Sequence, residues 1–337
     1  MPDRLIVEFK QLEDDVVQLD EDELRLVSTW GLAGDNITET NLSQGAHLEL
    51  RYSKERSLES ILGDVKHLQD LLTLVIAAPV VPTGISLWRE DITRELPTGE
   101  TRPQGMTYYA GQLAEQVRLD EPQSPMRILF QFPDIGGLST MAQWIKVVRE
   151  YQTVIGSLLS IRYAAGLYVE NRFNNVISAA ESFHRMRFSN EVIPEEEFKE
   201  FRCSLIRAVP KEHRNWLGNQ LQYSNEPRLR NRLTEMVGYA GEAFAAVPHD
   251  SNAWVTVITE SRNRLTHHDK ERAIDFQPGD LYFLTESLFT LVMLCLLREC
   301  GMSDQTLGTI ATNSSIVFLR GKLGEIVPRL HAQVTRS

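Results

Sequence analysis

The chain has 337 residues, of which 42% are apolar and 24% charged, with a formal net charge of −11. That composition fits a soluble globular protein long enough for two domains, and three cysteines without Cys-x-x-Cys spacing (Cys203, Cys295, Cys300) argue against a disulfide framework and a zinc site. No export signal opens the chain, and the longest apolar run, Leu288 to Leu297, is too short to span a bilayer, so a cytoplasmic protein with no membrane contact is expected.

Leu5–Phe9 is a short strand candidate, and 47–52 alternates with period two, as a half-buried strand does. Ser57 is placed to cap a helix in which Leu58, Ile61, Leu62, Val65, Leu68, Leu71, Leu72 and Val75 recur at helical spacing. Pro79 and Pro82 close it. Strand candidates follow at Thr83–Trp88, Met106–Ala110 and Arg127–Phe132, and a break falls at 133–137.

Beyond that break the period is helical. Trp144 to Tyr163 predicts one long connecting helix, and Phe173, Val176, Ile177, Ala180 and Phe183 mark another. Further helices are expected at Glu195–Ala208, Pro227–Ala245, Ala253–Thr266 and Asp280–Glu299, giving a bundle of five helices with one apolar stripe each. Val317, Leu319, Leu323, Ile326 and Leu330 predict an amphipathic helix in the tail. The fold class is α+β: a mixed strand and helix N-terminal domain (1–135), a connecting helix (136–171), an all-α bundle (172–302) and a C-terminal extension (303–337).

Charge divides along the same line. Residues 1–171 hold 26 acidic against 15 basic side chains, whereas 172–300 hold 18 against 16. A polyanion is repelled by the first half, so nucleic acid is expected only on the second.

The segment Arg262-Asn263-Arg264-Leu265-Thr266-His267-His268-Asp269 ends the helix expected at 253–266. An arginine presents a permanently charged fork matched to phosphate oxygens, and a histidine exchanges a proton near neutral pH. Trp254, Val257, Ile258, Ser261 and Leu265 form that helix's core stripe, and Asn263 and His267 lie one turn apart on a neighbouring face. Arg262 and His267 are about 140° apart around an ideal helix. Their spacing suits a site completed by a second copy of the helix better than a simple surface pair. The bland reading is a polar helix end, whose cations complement the dipole. His268-Asp269 is also the dipeptide of metal-dependent HD phosphohydrolases, which would need His184 or His249 upstream and Asp280 or Asp304 downstream.

The pattern Arg262-Asn263-x-x-x-His267 resembles the signature of HEPN-domain ribonucleases. With Ala179–Arg185, similar to the family's first helix, and the long apolar helix from Asp280, the resemblance is to the ApeA-like branch. The 46–90 strand–helix–strand layout resembles, more loosely, the ApeA N-terminal domain, in a shortened form. The resemblance implies a homodimer whose HEPN-like bundles share one cleft, and a metal-independent endoribonuclease with no cofactor, acting in anti-phage defence by abortive infection. Arg262, Asn263 and His267 would be catalytic; Arg264, His268 and Asp269 are secondary candidates, and the His267 or His268 register stays open. It implies an RNA substrate and a phage-derived or other protein trigger at the N-terminal domain. The alternative is a non-catalytic dimerising HEPN module that binds or senses a partner protein.

Overall fold

In the computed structural model, residues 13–34, 40–108, 127–164, 166–267 and 274–335 are described. The strand expected at Leu5–Phe9 lies outside them. Three antiparallel strands open the fold: β1 (Asp15–Leu19), β2 (Asp22–Gly34) and β3 (Thr40–Arg51), in the order β1-β2-β3. Asp20 turns the first hairpin with φ +57, a conformation that Asp tolerates better than most side chains. Its carboxylate meets Lys146 at 3.0 Å, which docks the turn on the later helices. Leu24 pairs with Leu50 and Leu26 with Leu48, and these residues turn the proximal half of the ribbon toward the core.

Helix α1 (Leu58–Ile76) begins as expected, with the Ser57 side chain accepting from the Ser60 N–H, and ends at Ala77 in the left-handed region. Short strands β4 (Ile85–Leu87) and β7 (Met106–Tyr108) pair antiparallel around the hairpin β5 (Thr93–Glu95) and β6 (Thr101–Pro103). The strand expected at Arg127–Phe132 does not form. The Leu129 and Phe130 N–H groups both donate to the Val75 carbonyl, and Phe130 is buried, so these apolar residues cap the end of α1 instead of joining a ladder.

The single connecting helix is two, α2 (Gly137–Glu150) and α3 (Gln152–Tyr163), bent at Tyr151. Tyr151 is buried and stacks on Phe183 at 5.4 Å, so the bend serves a ring contact that spacing alone does not register. The helices that follow are α4 (Val169–Arg187), α5 (Glu195–Ala208), α6 (Arg214–Gln220), α7 (Leu229–Ala240), α8 (Glu242–Ala245), α9 (Ser251–His267), α10 (Asp280–Glu299), α11 (Asp304–Gly308) and α12 (Ser314–Val334). The helix expected at Pro227–Ala245 is broken at Gly241, whose φ of +64 with ψ −148 is a conformation open to glycine almost alone. α5 has the expected bounds but no buried residue. It pairs with α6, where Arg202 donates to the Gly218 carbonyl at 2.6 Å, as a lobe outside the core.

α10 is the centre of the bundle. It is the one described helix long and apolar enough to cross a membrane, and 83% of that stretch is buried inside the fold. Arg162 of α3 grips Glu286 of α10 through two bonds of 2.8 and 2.7 Å and lies over the Phe289 ring. α12 packs on α9 and α10 and buries Leu319, Leu323, Ile326 and Leu330, whereas Val317, expected in the stripe, is exposed. Arg329 ties α12 to Asp280 at 2.6 Å. One apolar core runs from Leu19 and Leu24 of the sheet to Leu330, so the α+β class holds, with sheet and bundle sharing an interior.

Candidate functional site

The site is built on α9. Asp250 caps its start, its carboxylate accepting from the Asn252 and Ala253 N–H groups at 2.9 Å each. Trp254, Val257, Ile258 and Ser261 are buried, as the stripe requires. The Trp254 ring meets Phe244 edge-on, and its Nε1 donates to the Ser287 hydroxyl at 2.8 Å. The Ser261 hydroxyl donates back to the Val257 carbonyl at 2.7 Å and, among the described residues, has no polar partner across the core. With one face fixed in this way, the orientation of the last two turns is set.

Arg262 and Asn263 are half-buried on that last stretch, and among the described residues neither side chain makes a hydrogen bond or an ion pair. Thr266 donates to the Arg262 carbonyl. Arg264 points elsewhere. Its guanidinium sits 4.9 Å from the centre of the Phe276 ring, and its Nη1 is buried without a hydrogen-bond partner among the described residues. Both cations lie where the helix dipole favours positive charge. The backbone of His267 closes α9; its imidazole, and all of His268 and Asp269, lie outside the described residues. The structure therefore brings Arg262 and Asn263 together on one turn and separates Arg264 onto Phe276.

Phe276 leads to a cleft of about 530 Å³ between the start of α4 and the entry to α10, with Glu170, Arg172, Phe276, Pro278 and Tyr282 among its walls. Burial, then the charge of Glu286, raises the Tyr282 phenol above its ordinary pKa, against the opposing charges of Arg162 and Arg172. The sequence reading missed Arg172 and Phe276. They occur singly, and only the approach of α4 to the 276–282 segment unites them.

A second polar cluster joins α4 to α7. His184 is fully buried, with its Nε2 2.6 Å from Glu235 and its Nδ1 3.0 Å from Arg232 Nη1. A guanidinium can only donate, so Nδ1 must carry the lone pair and Nε2 the proton. Burial first, then the charge of Arg232, lowers the pKa of this imidazole, which matches the neutral form that the hydrogen bonds require. With both nitrogens engaged, His184 has no free ligand atom. Asp280 is likewise held by Arg329, and Asp304 by Arg298, so those parts of a metal-dependent HD site are committed elsewhere.

An all-α bundle whose motif helix α9, packed beside the central α10, ends in an arginine–asparagine pair without hydrogen-bond or ionic partners among the described residues is the class of protein that these features define. Residues 174–306 match the family Apea-like HEPN, and residues 3–144 match ApeA N-terminal domain 1, so the chain is an ApeA-like HEPN-domain protein with an ApeA-type N-terminal domain. No curated protein and no solved structure matches it.

Proposed function

We propose that this protein is a metal-independent endoribonuclease of the HEPN type that acts in the cytoplasm as a homodimer. The observation that carries the reading is the pair Arg262 and Asn263, half-buried and without hydrogen-bond or ionic partners among the described residues, at the end of a helix fixed by its opposite face. The three cysteines are free thiols, in keeping with a reducing compartment.

In the reaction His267 takes the proton of an RNA 2′-hydroxyl, and the 2′-oxygen attacks the adjacent phosphorus. The bond from phosphorus to the 5′-oxygen breaks, and that oxygen leaves with a proton, which the imidazole of the second copy can supply. Arg262 neutralises charge gathering on the phosphoryl oxygens, where a preorganised cation has most effect. Asn263 orients the imidazole or the phosphate. The products are a 2′,3′-cyclic phosphate and a 5′-hydroxyl, and DNA is left intact for want of the attacking group. In the cell this activity serves defence against bacteriophage by stopping the infected host, with the acidic N-terminal domain restraining the nuclease or sensing a phage component.

The test is total RNA incubated with the purified protein in chelator, with the ends analysed for cyclic phosphate. His267→Ala is expected to lower the rate by about 10²–10⁴-fold, and Arg262→Ala to do comparable damage. Equal cutting by wild type and both variants ends the proposal. A stable dimer that never cuts, even in infected cells, favours the binding module instead.

A further inference from the structure

The cleft beside Phe276 is built like a ligand site. Its volume of about 530 Å³ lies in the range of small-molecule sites. Its walls combine flat apolar groups (Phe276, Pro278 and the half-exposed Tyr282) with one cation and one carboxylate, Arg172 and Glu170. The Arg172 Nε is buried without a hydrogen-bond partner among the described residues, and no described carboxylate pairs with its guanidinium. Arg172 thus brings to the cleft wall a guanidinium with no carboxylate of its own among the described residues, and such a fork can take phosphate oxygens from outside. Phe276 is held from behind by the Arg264 guanidinium, two residues from Arg262. The cleft therefore adjoins the end of α9 through a single ring.

We propose that this cleft is a subsite for one nucleotide of single-stranded RNA, with the base against the aromatic walls and a flanking phosphate on Arg172. The inference rests on the ribonuclease reading and adds where the substrate is held next to the cut. A planar base can use Tyr282 and Phe276 because every base has a π-face. Arg172 offers the planar fork that phosphate oxygens take in pairs. Glu170 can only accept, so it suits the ribose 2′-hydroxyl or a base N–H and repels a second phosphate. That repulsion restricts the cleft to one nucleotide and gives ribose an advantage over deoxyribose.

The test is equilibrium binding of the four ribonucleoside 5′-monophosphates to the full-length protein, with ribose 5-phosphate and the deoxynucleotides as controls. At least one ribonucleotide is expected to bind about tenfold or more tightly than ribose 5-phosphate, as base stacking on an aromatic side chain provides. Tyr282→Ala and Arg172→Gln should each weaken it by about tenfold, the latter with the loss of salt dependence. Glu170→Ala, at an exposed position outside the core, should keep the fold and, by removing the acceptor, erase the preference for ribose. Ribonucleotides that bind no better than ribose 5-phosphate, or that bind all three variants as they bind wild type, overturn the subsite. Binding is read without cleavage, so the two readings fail separately. A protein that binds nucleotides but cuts no RNA removes the nuclease and leaves the subsite; one that cuts RNA with Arg172 and Tyr282 dispensable does the reverse.

Discussion

Arg232→Leu is the substitution whose cost is best defined by the geometry. Arg232 is 3% exposed and donates to four acceptors: the Pro227 carbonyl at 2.9 Å, His184 Nδ1 at 3.0 Å, Asn190 Oδ1 at 2.6 Å and Glu226 at 3.3 Å. Leucine replaces the apolar stem but none of these donors. The two most enclosed acceptors, the Pro227 carbonyl and His184 Nδ1, are left unsatisfied at about 1–3 kcal/mol each. Breaking a buried charged network by removing one partner costs about 3–5 kcal/mol in comparable cases, so a loss near 4 kcal/mol is expected. Urea unfolding at pH 7.5 measures it as a lower midpoint at unchanged slope. Arg232→Lys, with one compact donor, should fall between. The pH dependence supplies a second check. Burial depresses the folded pKa of His184, so the unfolded chain binds its proton first as acid is added. The advantage of wild type over His184→Gln is therefore complete above about pH 6.5 and shrinks below it. A loss under about 1 kcal/mol for Arg232→Leu, or an advantage that grows on acidification, would refute the account of a neutral, fully bonded His184.

Arg162→Ala removes both bonds to Glu286 and the contact with Phe289, and should cost about 1–3 kcal/mol of unfolding free energy. Gly241→Ala forces a side chain into a region that glycine alone occupies freely and should cost about 1–3 kcal/mol, seen as a lower melting temperature with α7 and α8 otherwise intact. Asp64 is pushed up by burial, but the approach of His67 at 3.7 Å, the charge of Arg149 and the hydrogen bond from Tyr52 outweigh this and hold it below the usual carboxylate range. Its stabilisation is present above about pH 3.9 and lost as pH falls through the depressed value, so the acid limb of a stability–pH curve should be flatter in Asp64→Asn.

Local rules carried far in this chain, and their failures have physical causes. The spacing of Leu68, Leu71 and Val75 finds α1, Ser57 marks its start, and α5 and α10 have the bounds that periodicity predicts. The stripe on α9 is correct because it depends only on the turn angle of a helix and on burial. Leu24, Leu26, Trp30 and Leu32 carry a period-two signal for β2, which the acidic run before it masks. The strand expected at Arg127–Phe132 fails because apolar residues report burial and not what buries them. α5 keeps its predicted bounds but not its predicted place in the bundle: its amphipathic pattern is real, but it meets α6 and not the core. At the site, Arg262 and Asn263 are legible as neighbours. The opposed setting of Arg264 on Phe276 and the grouping of Arg172 with Tyr282 are not, since each depends on segments distant in sequence.

The position of α12 has a consequence for synthesis. Ile316, Leu323 and Leu330 cover α9 and α10, and Arg329 clasps Asp280. A chain emerging from the ribosome must expose that apolar seam until residue 330 is free. The end of the motif helix is thus among the last parts to become firmly seated, and a product stopped before Ser314 would present that uncovered seam to proteases.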